Sequence, residues 1–215
     1  LKDKVENDKE INELEITILG CYIPLNFSKI LINKLSDYKS SKALFNNLIN
    51  TQIKEPLREI ELAKSIKSLD EIKDPTSKKV REQYEENPYP RWRYVSFINP
   101  KRTYDLVNDD IKPNKISHNN KLDKPNVLIA GSGTGSHPIY SARYKDANIL
   151  GVDLSLSSLS YAKRKTDELG YTNIEYLHGD ILQLRKLNKK FDIIESAGVL
   201  HHMNDPVEGL KILLD

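Results

Sequence analysis

The sequence predicts an α/β fold, a doubly wound parallel sheet preceded by a small helical module. After Lys124, short apolar segments alternate with amphipathic segments of helical length, which is typical of βαβ units with right-handed crossovers. A glycine-rich turn containing Gly131, Gly133 and Gly135 directly follows the first apolar segment. In a doubly wound sheet, this turn lies where ligands bind, at the carboxyl ends of the strands.

The alternating elements can be assigned in chain order. The apolar segments predict strands over residues 127–130, 149–153, 174–177 and 191–195. The amphipathic segments predict helices over residues 136–144, 156–169 and 206–214, and a turn-rich segment precedes the fourth strand. Together they describe a Rossmann-like sheet.

The chain upstream of the sheet has a different character. Residues 1–75 carry apolar positions at helical spacing and predict a helical amino-terminal module. Residues 76–124 begin with a charged helix, continue into the aromatic and proline-rich segment NPYPRWRY, and end in a polar surface connector. Residues 125–215 form the third predicted region, the Rossmann-like domain.

Composition excludes several classes of protein. The chain has 215 residues, 30% of them charged, with a formal net charge of +2, a balance that argues against a nucleic-acid partner. No apolar run is long enough to span a membrane, and the charged opening LKDKVENDKE is unlike a secretory signal, so we expect a cytoplasmic protein. A single cysteine, Cys21, excludes an internal disulfide, and its apolar neighbours predict a buried side chain.

The spacing of the glycines distinguishes between cofactor classes. Dinucleotide-binding turns favour G-x-G-x-x-G, in which a pyrophosphate occupies the end of the following helix. This chain has G-x-G-x-G followed by Ser136 and His137, which favours a cofactor that needs no pyrophosphate site. The alternative interpretation is a tight strand-to-helix connection without a ligand.

Acidic residues end the next two predicted strands. Asp153 follows the glycine turn by about twenty residues, where a carboxylate can accept hydrogen bonds from two ribose hydroxyls. Asp180 ends the third strand, where it can accept a hydrogen bond from an adenine amine, with Ile181 beside the ring. Structural roles are the alternatives: Asp153 can cap the helix after Ser155, and Asp180 can open a turn.

Two sets of motifs resemble known families. VLIAGSGTG, GVDLS, YLHGDI and FDIIESAGVLHHMNDP resemble the successive motifs of class I S-adenosylmethionine-dependent methyltransferases, over about residues 125 to 215. CYIPL, IKEPLREIELAKSI and VREQYEENPYPRW are similar to the region that precedes the methyltransferase domain in a bacterial family often described with tetratricopeptide repeats.

The first resemblance implies S-adenosyl-L-methionine as the cofactor and methyl transfer to an unidentified acceptor, either a small molecule or a protein. It assigns ribose and adenine contacts to Asp153, Leu154, Asp180 and Ile181, and it places Glu195 facing the sulfonium. The residues that it places along the methionine part and the ribose are Gly131, Ser132, Gly133 and Gly135.

Histidines and aromatic residues are the candidates for the acceptor side. His201 and His202 follow the fourth predicted strand and are candidate proton acceptors. The alternative is that they only position the loop. The two adjacent histidines predict no metal site.

The segment around Tyr84 is interpreted as a lid, with Tyr84 over the carboxylate of the cofactor and Tyr89, Trp92 and Tyr94 around the acceptor. A structural clasp, or stacking on RNA bases, are the alternatives.

The resemblance also implies three further strands after residue 214, which this chain does not contain. We therefore expect an open edge at the strand over residues 191–195, and little or no activity in this chain. We expect the edge to be covered either by self-association or by packing of the amino-terminal helices across it. A non-catalytic cofactor-binding or interaction module is the alternative function, and an NAD-dependent oxidoreductase is a further one.

Overall fold

The computed structural model describes residues 1–96, 98–117 and 122–215, so residues 97 and 118–121 of the predicted connector lie outside the described residues. The chain forms two compact units, Leu1–Glu61 and Leu62–Asp215. The sequence analysis places the domain boundary at residue 75. The structural boundary lies earlier because residues 67 and 68 already contribute a strand to the sheet of the second unit.

The first unit consists of helices. Its helices are α1 (Lys2–Glu6), α2 (Glu13–Gly20), α3 (Lys29–Leu35), α4 (Ala43–Ile49) and α5 (Glu55–Ala63), with a 3-10 turn at Leu25–Phe27 and a π-helical turn at Asn50–Lys54. Its core is the buried cluster Val5, Ile16, Leu19, Leu25, Leu31, Leu35, Phe45, Ile49 and Ile53. Helix α2 begins with a capping box between Asn12 and Glu15. Cys21 is exposed, contrary to the prediction, because it follows the last residue of α2 and lies outside this core.

The second unit is an α/β sheet, which confirms the predicted fold class. Its strands are β1 (Lys67–Ser68), β2 (Asn126–Ala130), β3 (Asn148–Asp153), β4 (Ile174–His178) and β5 (Ile193–Glu195). Its helices are α6 (Pro75–Glu86), α7 (Thr103–Asp110), α8 (Ser136–Ser141), α9 (Leu156–Glu168) and α10 (Pro206–Leu214), with 3-10 segments at Ile181–Leu187 and Leu200–His202. All strand pairs are parallel, in the order β1-β4-β3-β2-β5.

Both faces of the sheet are covered, so the interior strand β2 is apolar at consecutive positions. In β2, Val127 and Ile129 face a cluster that includes Leu159 of α9, whereas Leu128 and Ala130 face a cluster that includes Ile212 of α10. Because parallel strands share one direction, the carboxyl ends of β2, β3, β4 and β5 meet at one edge of the sheet.

The structure adds one strand to the predicted set. Lys67 and Ser68 pair with Leu177 and His178 and extend the sheet beyond β4. A two-residue strand is too short to produce a periodic pattern, so the sequence gives no signal for it. No helix in the described part of the chain is long and apolar enough to cross a membrane.

Candidate functional site

The turn between β2 and α8 holds three glycines in left-handed backbone conformations, with φ of +79° at Gly131, +51° at Gly133 and +88° at Gly135. An added Cβ at Gly131 would lie 2.2 Å from the Val199 side chain, and one at Gly135 would lie 2.6 Å from Ala162. An added Cβ at Gly133 would meet no atom within 4 Å. Packing therefore requires glycine at positions 131 and 135, whereas the space next to Gly133 is open.

Asp153 joins the end of β3 to this turn. Its Oδ2 accepts a hydrogen bond from the Gly133 N–H at 2.8 Å, and its Oδ1 accepts one from the Ser155 N–H at 2.9 Å. Burial raises the pKa of Asp153, against the opposing effect of these two backbone hydrogen bonds. Each carboxylate oxygen can accept more than one hydrogen bond, so the carboxylate retains acceptor capacity for a ligand.

Asp180 lies beyond β4 and is 3% exposed. Its Oδ1 accepts a hydrogen bond from the Leu182 N–H at 3.0 Å and begins the 3-10 segment Ile181–Leu187. Asp180 thus has the structural role weighed for it, since it opens a turn. Asp153 does not cap α9: Ser155 is the cap and accepts a hydrogen bond from the Ser158 N–H, while Asp153 only accepts one from the Ser155 N–H.

A cavity of about 470 Å³ lies at the carboxyl ends of these strands, a volume within the range of small-molecule sites. It brings together nine of the twelve predicted site residues. Those that line it are Tyr84, Gly131, Ser132, Gly133, Asp153, Leu154, Asp180, Ile181 and His202. The lining also includes Ser77, Thr134, Ser136, His137 and Ser158, which the sequence analysis does not assign.

Three predicted site residues do not line the cavity. Gly135 packs closely against Ala162 and serves the approach of α8 to α9. His201 is exposed and stacks beside His202 with ring centroids 4.0 Å apart, and only His202 reaches the cavity. Glu195 does not face the cavity because its carboxylate is hydrogen-bonded to side chains of α8 and of the turn after it.

Glu195 is the centre of a partly buried polar network. Its Oε2 lies 2.9 Å from His137 Nε2 and accepts a hydrogen bond from Ser141 Oγ at 2.5 Å, and its Oε1 accepts one from the Tyr144 hydroxyl at 2.6 Å. The Arg143 guanidinium lies 3.7 Å away. Burial alone would raise the pKa of Glu195, but the hydrogen bonds from His137, Ser141 and Tyr144 outweigh it and lower the pKa to about 2.

A helical spacing links the partners of Glu195. His137, Ser141 and Tyr144 stand at i, i+4 and i+7, so a helix starting at Ser136 would place all three on one face. This polar stripe is the signal that could have identified the network from the sequence. No sequence pattern identifies Glu195 as their acidic partner, because it lies more than fifty residues after Tyr144 in the chain.

Two serine hydroxyls are buried in the cavity wall without a partner. Ser132 is 4% exposed and Ser158 is 1% exposed, and neither Oγ has a hydrogen-bond partner within the described residues. Buried hydroxyls without partners are costly in a folded protein. Both residues line the cavity, so a polar ligand there can complete their hydrogen bonding.

The NPYPRW segment contributes one wall of the cavity and is also fixed to the sheet. Tyr89 and Pro90 of this segment line the cavity, next to Tyr84 of the preceding helix α6. Thr134 Oγ1 donates to the Pro90 carbonyl at 2.6 Å, and Trp92 Nε1 donates to the Thr134 carbonyl at 3.0 Å. The segment is thus held against the glycine turn, and it combines features of the predicted lid and of the alternative clasp.

Two of the aromatic residues predicted around the acceptor lie elsewhere. Trp92 packs edge-on against Tyr161, with ring centroids 6.1 Å apart, in the cluster beneath α9. Tyr94 is 92% exposed. Of the three aromatic residues assigned to the acceptor pocket, Tyr89 alone lines the cavity in the described structure.

Among the described residues, the aspartate side chains of the cavity wall are not balanced by lysine or arginine. Asp153 and Asp180 line the cavity, and no lysine or arginine is among the described lining residues. Glu195 adds an ionised carboxylate directly behind His137. The wall therefore favours a neutral or cationic ligand over a polyanion.

Comparisons with known proteins agree with this geometry. Residues 127–213 match the family model described as a methyltransferase domain. A tRNA (guanine-N(7)-)-methyltransferase of Rubrobacter xylanophilus is 35% identical over 89 residues, which are 41% of this chain and 38% of that protein. A demethylmenaquinone methyltransferase of Bacillus velezensis is 31% identical over 84 residues, 39% of this chain and 36% of that protein.

An uncharacterised protein of Synechococcus sp. is 34% identical over 95 residues, 43% of this chain and 23% of that protein. The matches thus span between 23% and 38% of the length of these three curated relatives. The sequence from β2 into α10, which carries the glycine turn and both cavity aspartates, is therefore similar to a methyltransferase domain.

Proposed function

We propose that the protein is an S-adenosylmethionine-dependent methyltransferase whose cofactor binds in the cavity at the carboxyl ends of β2, β3 and β4. One observation carries the proposal: Asp153 and Asp180 stand at consecutive strand ends beside an open glycine turn, in a cavity wall without lysine or arginine among its described residues. A nucleoside that carries a sulfonium matches this wall in shape and in charge.

The residues have distinct roles in this proposal. Asp153 accepts hydrogen bonds from the ribose hydroxyls, and Asp180 accepts one from the adenine amine. Leu154 and Ile181 flank the adenine. Gly133 allows the backbone to approach the ligand because no side chain covers it. The free hydroxyls of Ser132 and Ser158 provide further hydrogen bonds.

Bound S-adenosylmethionine supplies an electrophilic methyl group, and the protein aligns the acceptor with it. Tyr84 and Tyr89 form the wall that excludes water above the cavity. Of the two predicted proton acceptors, His202 is the one at the cavity, where it stands edge-on to Tyr84 with ring centroids 6.2 Å apart. His202 takes up the proton when the acceptor must lose one.

The charge of the cavity favours this function over an NAD-dependent oxidoreductase. A dinucleotide carries a pyrophosphate with two negative charges, which dinucleotide folds place on the helix after a G-x-G-x-x-G turn. Here the turn has G-x-G-x-G spacing, and the carboxylates of Asp153 and Asp180 line the cavity. The acceptor remains a small molecule or a protein in this proposal, since the balanced net charge of +2 disfavours nucleic acid. A cytoplasmic location belongs to the same proposal.

Self-association through β5 is a further part of the proposal. Within the described residues, β5 pairs with β2 alone, and Ile194 in β5 is 40% exposed. A strand with one unpaired edge is a template for a second copy. Light scattering that shows a monomer at high concentration would remove this part of the proposal without affecting the cofactor site.

Replacement of Asp153 tests the cofactor assignment. We expect Asp153→Ala to weaken S-adenosylmethionine binding by about 1.5 to 3 kcal/mol, because it removes charge-assisted hydrogen bonds to the ribose. Asp192→Ala is the matched control, since the Asp192 carboxylate also accepts a backbone hydrogen bond, from Asn126, but at the opposite end of the sheet. Isothermal titration calorimetry gives both dissociation constants. Equal affinities in a folded Asp153→Ala variant and the control would refute the assignment.

A further inference from the structure

His137 lies at one end of the cavity, and Glu195 contacts its ring from outside the cavity. Asp180 follows β4, Asp153 ends β3, and Glu195 ends β5 on the far side of β2. An adenosine held by the two aspartates therefore occupies the β4 and β3 side. This inference rests on the proposed function, in which the methionine part of the cofactor extends toward β2 and β5.

Glu195 determines which ring nitrogen of His137 carries a proton. With its pKa lowered to about 2, Glu195 is ionised at neutral pH and can only accept hydrogen bonds. The His137 Nε2, at 2.9 Å, must then be the donor. In the neutral imidazole the other nitrogen, Nδ1, consequently holds a lone pair. His137 lines the cavity, and Nδ1 has no hydrogen-bond partner among the residues that the structure describes.

The charges around this pair leave a surplus of negative charge. Glu195 and Asp110 are both acidic, and the Arg143 guanidinium pairs with both of them, at 3.7 Å and 2.6 Å. One positive charge thus faces two negative charges. The Ser141 and Tyr144 hydroxyls, which complete the coordination of Glu195, are neutral donors. This end of the cavity therefore favours a cationic group.

We propose that His137, positioned by Glu195, binds the α-ammonium group of the methionine part of the cofactor through Nδ1. The ammonium is a hydrogen-bond donor with a positive charge, and Nδ1 is an acceptor backed by a carboxylate. The α-carboxylate offers the neutral imidazole no proton to accept, and it would face the surplus negative charge. Glu195 acts only through His137 and is a positioning residue.

The test compares two probes by calorimetry: S-adenosylhomocysteine, and its desamino analogue, in which hydrogen replaces the α-ammonium. His137→Gln keeps an amide donor for Glu195 and removes the Nδ1 acceptor. We expect it to weaken S-adenosylhomocysteine binding about tenfold or more, the size of a lost hydrogen bond to a charged group. Binding of the desamino analogue should change by less than about twofold, within the uncertainty of a neutral substitution.

His137→Asn is the rescue variant, because its amide oxygen stands about where Nδ1 stands in histidine. We expect it to bind S-adenosylhomocysteine more tightly than His137→Gln does, and thermal unfolding checks that both variants fold. Equal weakening of both probes in His137→Gln would show a structural role and overturn the proposal, as would no weakening of either. Failure of the folded wild-type chain to bind S-adenosylhomocysteine at all would refute the proposed function itself, and with it this inference.

Discussion

Gly133→Val is expected to abolish S-adenosylmethionine binding, with a dissociation constant at least about a hundredfold higher than that of the wild-type chain. Gly133 has φ +51°, a conformation that costs an L-residue about 1–2 kcal/mol and a β-branched residue more. The new side chain would also project into open space at the cavity wall, where the ligand must approach the backbone. Strain and excluded volume act together against binding.

Gly170→Val separates these two effects. Gly170 follows α9, has φ +76°, and an added Cβ there would also meet nothing within 4 Å, but it does not line the cavity. The two variants should therefore lose similar free energies of unfolding in urea, whereas only Gly133→Val should lose affinity. Normal affinity in Gly133→Val would mean that the turn is only a strand-to-helix connection.

Glu195→Gln is expected to lower the free energy of unfolding by about 3 kcal/mol at pH 7. The pKa of Glu195 is lowered from 4.5 to about 2 in the folded chain, and each unit of such a shift corresponds to about 1.4 kcal/mol. Because the folded-state pKa is lowered, this stabilisation is fully present above pH 4.5 and is lost as the pH falls toward about 2. The difference between wild type and variant should shrink over the same range.

Urea unfolding at pH 7 and at lower pH measures this difference. Asp109→Asn is the control: the hydrogen bond from Lys112 also lowers the pKa of Asp109, but both side chains lie at the surface, with Asp109 65% and Lys112 69% exposed. Such surface pairs contribute little to stability. A stability difference for Glu195→Gln that stays constant from pH 7 to pH 2.5 would contradict the assigned network.

The strand-end residues could be predicted because they depend on topology alone. Once β2, β3 and β4 are recognised as parallel strands, Gly133, Asp153 and Asp180 must follow them at one edge of the sheet. No detail of side-chain packing is needed for that step. The sequence therefore predicts the cavity and nine of the residues that line it.

The remaining site residues depend on packing between distant parts of the chain. Glu195 also ends a strand, but its carboxylate contacts His137 and Ser141 of α8 and does not line the cavity. Gly135 has the spacing of a ligand-binding glycine, yet the close approach of α9 explains it. Trp92 stands in an aromatic segment near the cavity, but it packs against Tyr161 in the core. Sequence spacing specifies none of these contacts.

The central claim is that the cavity holds a sulfonium nucleoside. Its most direct test is calorimetric titration of the wild-type chain with S-adenosylmethionine and, in parallel, with NAD. The account predicts saturable binding of S-adenosylmethionine at one site per chain and no detectable binding of NAD, because Asp153 and Asp180 line the cavity without a basic side chain among its described residues. Binding of NAD in preference to S-adenosylmethionine, or no binding of either by the folded chain, would contradict it.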